Sequence, residues 1–103
     1  MGKGAKRKNR TRIEIVASLL GIAEPGVRKM RLMYEGNLSF ELLQKYLGSL
    51  MKAGMIEEKQ EGNQFIYRTT AKGLQFLKDY NDFQKYTTVL ESKKSELEKT
   101  FTI

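Results

Sequence analysis

Phe76, Phe83, Leu90 and Leu97 recur at intervals of seven residues, and a seven-residue apolar repeat marks a helix whose seam faces another helix. The companion positions four residues on are Tyr80, Thr87, Lys94 and Phe101, so six of the eight seam positions are apolar or aromatic. Such a helix, about 30 residues at 1.5 Å each, is roughly 45 Å long, more than a small domain can cover. Its far half needs a partner. Charged flanks such as Glu91, Lys93, Glu96 and Glu98 argue against the helix folding back on its own domain and favour a homodimer. Thr87 and Lys94 are poor seam residues, and in a parallel pair each Lys94 would face its own copy, whereas an antiparallel pair separates them.

The chain ahead of this helix is long enough for one core only. Ile13, Val16, Ala17 and Leu20 recur at helical spacing, with Ile15 and Leu19 on a flank, which predicts a first helix over residues 12–23. Glu24-Pro25-Gly26 punctuates the chain, and Pro25 is suited to open a second helix. That helix would turn Val27, Met30 and Tyr34 inward and leave Arg28, Lys29 and Arg31 on its other sides. After Gly36-Asn37, Ser39 is placed to cap a third helix. Phe40, Leu43, Leu47, Leu50 and Met51 form its apolar stripe, with Glu41, Lys45, Gly48, Ser49 and Lys52 opposite, and Gly54 closes it with a left-handed cap. Residues 55–60 and 64–68 read as a hairpin across Glu61-Gly62-Asn63. Thr69 or Thr70 caps the final helix.

The chain of 103 residues has no Cys and no His, which excludes disulfides, thiol nucleophiles, imidazole triads and the commonest zinc ligands. Glu57 and Glu58 are adjacent on a predicted strand and so point to opposite faces. An enzyme is not expected, nor a cofactor, metal or small-molecule ligand. No apolar run reaches the length of a membrane span, and the basic start has no signal-peptide core, so the expectation is a cytoplasmic protein, associated with the nucleoid if it binds DNA. The net charge of +7 is concentrated at one end. Lys3, Lys6, Arg7, Lys8, Arg10 and Arg12 stand in the first twelve residues with no acid among them, leaving 13 of the 19 basic residues against all 12 acidic ones. A flexible basic arm on a nearly neutral body attracts polyanions, though a solvated tail has the same composition.

Three helices, a hairpin and a return helix give a mainly α fold with a small β-hairpin: a winged helix-turn-helix plus a long C-terminal coiled-coil helix, whose pairing the Lys94 repulsion inclines to antiparallel without fixing it. The expected division is an arm over 1–11, a winged domain over 12–73 and a dimerisation helix over 74–103. In this arrangement the third helix enters the major groove of double-stranded DNA. Lys6, Arg7, Lys8, Arg10 and Arg12 of the arm and Arg28, Lys29 and Arg31 of the second helix would hold phosphates. Ser39, Glu41, Gln44 and Lys45 are the candidates for reading bases, with Lys52 two turns beyond Lys45 and Glu41 able to pair with Lys45 at i,i+4. Lys59, Asn63, Gln64 and Arg68 of the wing could reach the backbone, against repulsion from Glu57, Glu58 and Glu61. Gly48 serves close helix packing or the approach of a phosphate backbone, and the former is the commoner use. The dimer seam would be Phe76, Tyr80, Phe83, Thr87, Leu90, Leu97 and Phe101.

Over residues 26–77 the sequence resembles the archaeal 10a family of small winged-helix, chromatin-associated DNA-binding proteins. The resemblance is carried by Arg31-Leu32-Met33-Tyr34, Asn37-Leu38-Ser39, the run from Leu50 to Ile56, and Tyr67-Arg68-Thr69-Thr70-Ala71-Lys72-Gly73. It implies a homodimer joined by an antiparallel coiled coil, with a winged domain at each end binding double-stranded DNA in chromatin organisation or transcriptional regulation. Met30 stands where the family pattern often has a Thr, which removes a hydroxyl that could touch a phosphate. Two other readings remain open from sequence: a protein-interaction module in which the winged helix is scaffold and the coiled coil is the partner site, and an RNA binder, which the scarcity of exposed stacking aromatics disfavours.

Overall fold

The computed structural model describes residues 10–100. Lys6, Arg7 and Lys8 of the arm and Phe101 of the seam lie outside them. The chain order is α1 (Arg12–Ile22), α2 (Lys29–Gly36), α3 (Phe40–Lys52), β1 (Ile56–Glu61), β2 (Gln64–Thr69) and α4 (Ala71–Thr100). This is the winged helix-turn-helix order expected from sequence.

Thr11 starts α1 through a capping box: its hydroxyl accepts from the Glu14 amide, and the Glu14 carboxylate accepts from the Thr11 amide. The face it buries is Ile15, Ala17, Leu19 and Leu20. Ile13, expected on the inner stripe, is more than half exposed. A helix apolar on most sides offers more than one face, and packing selects the one that meets α2 and α4.

The second helix begins later than Pro25. Gly26 adopts φ +90°, its amide bonds back to the Ala23 carbonyl at 3.0 Å, and Val27 pairs with Tyr67 of β2 through two backbone bonds of 2.9 and 2.7 Å. Val27 is therefore buried as an extended residue beside the sheet, and Arg28 becomes the N-cap of α2. This later start fixes the helix phase. Leu32 and Gly36 face the core, while Met30 and Tyr34, expected inside, are 67% and 83% exposed. Asn37 then takes φ 55°, a left-handed turn that joins α2 to α3.

Ser39 caps α3 by accepting from the Leu42 amide at 3.2 Å. Leu43, Leu47 and Leu50 are buried along it; Phe40, at its open end, is 55% exposed. Gly54, at φ +77°, closes the helix: its amide bonds to the Met51 carbonyl and the Met55 amide to the Leu50 carbonyl. The two antiparallel strands pair in register from Ile56 opposite Thr69 to Glu61 opposite Gln64. In the two-residue turn Gly62 takes φ +66°, and Asn63 needs no positive φ.

The core gathers Leu19 and Leu20 of α1, Leu32 of α2, Leu43 and Leu47 of α3 and Ile56 of β1. Burying such a side chain is worth about 1.5–3 kcal/mol. Thr69 is buried with its hydroxyl donating to the Leu20 carbonyl at 2.6 Å, which ties β2 to α1. Thr70 caps α4 by accepting from the Gly73 amide, and donates its own proton to the Gly54 carbonyl. Gly73 is buried against the Met55 carbonyl and the Thr69 methyl, where no Cβ fits. Phe76 and Leu77 pack on the core; from residue 91 to 100 every position is exposed. The molecule measures 66 × 35 × 19 Å. Among the described residues, no helix is long and apolar enough to cross a membrane.

Candidate nucleic-acid interface

One side of α3 carries Glu41, Lys45, Gly48, Ser49 and Lys52, all exposed, with Gln44 exposed at its edge. The face follows from the helical period: with Leu43, Leu47 and Leu50 inward, residues two and five positions along must point away. Lys45 and Lys52 are about 10 Å apart along the axis. Among the described residues neither lysine forms an ion pair, and the Glu41–Lys45 pair is not made. Ser39 contributes its hydroxyl to the helix cap. Among the described residues a Cβ built at Gly48 meets nothing within 4 Å, so the helix packing expected of this glycine is not made there. The backbone there is bare.

The cations expected on the second helix have separate fates. Arg28 is exposed at the N-cap. Arg31 is held by Glu35 at 2.7 Å, an exposed pair that is readily exchanged for another anion. Lys29 is half-buried, with its ammonium 5.8 Å from the centre of the Phe40 ring and 5.9 Å from that of Tyr67. It pins α2 to the start of α3 and to the wing. Arg28 and Arg31 share a groove with Gln64, beside Met30 and Ile66.

On the wing, Lys59, Asn63 and Gln64 are exposed. Arg68 is not free in the same way: its guanidinium lies against Gly26 and donates to the Pro25 carbonyl at 3.2 Å. Glu58, counted as a repulsive charge, accepts a hydrogen bond from Tyr67 at 2.8 Å. Burial of that phenol, reinforced by the bond to Glu58 and its charge, pushes its pKa up to about 12. Arg10 donates to the Gly36 carbonyl at 3.0 Å and to that of Asn37 at 3.4 Å, holding the chain just ahead of α1 on the turn between α2 and α3. Arg12, the first residue of α1, reaches the flank of α3 and lines a cleft with Lys45.

Two features of this side escaped the sequence reading. Tyr34 and Met30 are displayed beside Arg31, and Tyr46 and Ser49 line the cleft with Arg12 and Lys45. The i,i+4 pair Leu32 and Gly36, small against large, was the available signal for the true phase of α2.

The seam residues divide similarly. Phe76, Tyr80 and Thr87 are half-buried, whereas Phe83, Leu90 and Leu97 are exposed at 59%, 68% and 71%. Tyr86 and Val89, outside the expected repeat, are exposed as well. On a wheel at 100° per residue, Phe83, Tyr86, Leu90 and Leu97 span one narrow stripe, and Thr87 and Lys94 fall on its edge.

No protein of curated function is significantly similar in sequence. Among solved structures, the DNA-binding protein Sso10a-2 from Sulfolobus solfataricus is similar at 29% identity and a TM-score of 0.79, covering 91% of this chain and 99% of its own. Staphylococcus aureus MepR, solved as a DNA complex, shares the fold at 13% identity and TM-score 0.66, with 92% of this chain and 81% of that one covered. Lactococcus lactis ZitR, also solved with DNA, does so at 20% identity and TM-score 0.60, over 91% and 64%. The winged helix-turn-helix family profile matches residues 9–88. With the capped α2–α3 turn, the paired wing and the return helix all in place, the chain belongs to the winged helix-turn-helix family.

Proposed function

We propose that this protein is a homodimeric double-stranded DNA-binding protein that acts in chromatin organisation or transcriptional regulation. Its third helix sits in the major groove, and the basic arm and α2 rest on phosphates. The observation that carries this reading is the outer face of α3, where Lys45 and Lys52 have no ion-pair partner among the described residues and Gly48 leaves the backbone bare. A groove edge or phosphate can approach such a face closely. The likeness to Sso10a-2, a DNA-binding protein, supports it.

Lys45, Gln44, Glu41 and Ser39 stand where base edges would be read, with Lys52 toward the backbone. Arg28, Arg31, Lys59, Asn63 and Gln64 serve phosphates on the wing side. Lys29 and Arg68 act by holding α2, α3 and the wing in register. Of the division into an arm over 1–11, a winged domain over 12–73 and a dimerisation helix over 74–103, the arm ends where Arg10 and Thr11 join the domain, and dimerisation falls to α4 beyond Phe76 and Leu77, which pack on the core. Phe83, Leu90 and Leu97 supply the seam, which an antiparallel partner would cover while keeping the Lys94 side chains apart. A DNA-bound chain of this kind would be found on the nucleoid.

Replacing Lys45 by Glu puts a negative charge on the face that meets the polyanion. Duplex affinity is expected to fall about tenfold or more, the scale of one good groove contact. An unchanged affinity would reject α3 as the contacting helix.

A further inference from the structure

Arg12, Leu42, Lys45, Tyr46 and Ser49 line an open cleft of about 190 Å³ between the start of α1 and the flank of α3. Leu42, Tyr46 and Ser49 occupy the edge of α3 between its buried stripe and its outer face, on the side away from Phe40 and the wing. Among the described residues, the side chains of Arg12, Lys45, Tyr46 and Ser49 make no hydrogen bond with the protein. Two cations and two hydroxyls thus border one small space without being used by the fold.

Size and chemistry together select the occupant. Pockets for drug-sized organic molecules run to about 300–1,000 Å³ and are mostly apolar. This cleft is smaller, equivalent to about six waters, and four of its five side chains are polar. Arginine and hydroxyl groups are common partners of phosphate oxygens. We propose that the cleft seats a phosphate of the DNA backbone, with Arg12, Tyr46 and Ser49 as its ligands beside Lys45. The proposal rests on the DNA-binding reading and deepens it. Tyr46 and Ser49 become contact residues, and the strand that borders the groove on the α1 side is gripped opposite the strand that Arg28 and Arg31 meet on the wing side. A free phosphate group has the same chemistry. The duplex is the committed source because the cleft opens beside Lys45 on the face that carries Gly48.

The test uses the full chain and a mixed-sequence duplex, titrated between low and physiological salt. Tyr46→Phe combined with Ser49→Ala removes two hydroxyls and no charge. It is expected to weaken binding roughly tenfold at every salt concentration, the scale of hydrogen bonds to a charged group, while the salt slope stays unchanged. Arg12→Gln is expected to lower the magnitude of the slope of log K against log salt by about 0.9, one phosphate neutralised less. Lys85→Gln, an exposed cation of α4 that does not line the cleft, serves as the control and should bind as wild type. Circular dichroism checks that the double variant folds; Ser49→Ala alone, at an exposed position, carries the test if it does not. Wild-type affinity in the hydroxyl variant, or a wild-type slope in Arg12→Gln, overturns the proposal while leaving the DNA-binding reading standing. Titration with inorganic phosphate, followed at the Tyr46 and Ser49 amides by NMR, separates the two sources: saturation there without any duplex effect of the hydroxyl variant assigns the cleft to free phosphate and overturns the backbone seat. A wild-type chain with no affinity for duplex at low salt removes the underlying reading as well, and is distinguishable from both.

Discussion

The first third of α4 and its remainder share one helix and one seven-residue repeat, yet they meet opposite surroundings. At the base, Gly73 is buried against the Met55 carbonyl and Phe76 lies on the domain's own core. Further out, Phe83, Leu90 and Leu97 repeat the spacing of Phe76 and stand mostly exposed among the described residues. The difference teaches that a repeat reports which face of a helix is apolar and leaves open what covers it. Most of the stability of a helix in a protein comes from packing its apolar face rather than from propensity, and an exposed apolar stripe of this extent is uncommon on a monomer. In the proposed dimer, the outer part is the part that a second chain would cover.

The sharpest way to break this contrast is to charge the outer stripe alone. Phe83→Asp with Leu90→Asp places carboxylates where the proposed seam would bury them, at a cost of several kcal/mol per ion. Sedimentation should show monomers, with the winged domain still giving a cooperative melt. A dimer that persists would remove the seam from the account. The base can be broken separately by Gly73→Ala, which drives a methyl into the Met55 carbonyl. A destabilisation of about 3 kcal/mol is expected, lowering the melting temperature by more than about 10 °C. An unchanged melt would mean that α4 is not clamped to the wing. The smallest effect has the opposite sign. Gly48 lies in α3 with open space around it, so Gly48→Ala should raise stability by about 1 kcal/mol while weakening duplex binding if the backbone approaches there. Loss of stability would reveal a neighbour that the structure does not place beside it.

How much of this was legible in the sequence varies by element for physical reasons. The third helix could be read almost in full, because its capping Ser39, its clear stripe of Leu43, Leu47 and Leu50, and the left-handed Gly54 all give the same boundaries and phase. The second helix could not. It has only eight residues, two turns that do not settle a phase by themselves, and its true start depends on Val27 pairing with Tyr67 forty residues away. For the candidate interface, residue type identified the cations and left their partners unknown. Lys29 is drawn between two aromatic rings, Arg68 is laid over Gly26, and Lys45 is left without an ion-pair partner among the described residues. In the cleft, Leu42, Lys45, Tyr46 and Ser49 share one edge of α3 at helical spacing, but the approach of Arg12 from α1 is tertiary and no local pattern marks it.

Fluorescence anisotropy of a labelled mixed-sequence duplex, titrated with the wild-type chain at several salt concentrations, tests the central claim most directly. Binding in the micromolar range or tighter, with log K falling steeply as log salt rises, is the result expected of a protein that holds DNA chiefly through its phosphates. No binding at the lowest salt would contradict it, and would leave the exposed stripe of α4 as the part of this molecule that meets a partner.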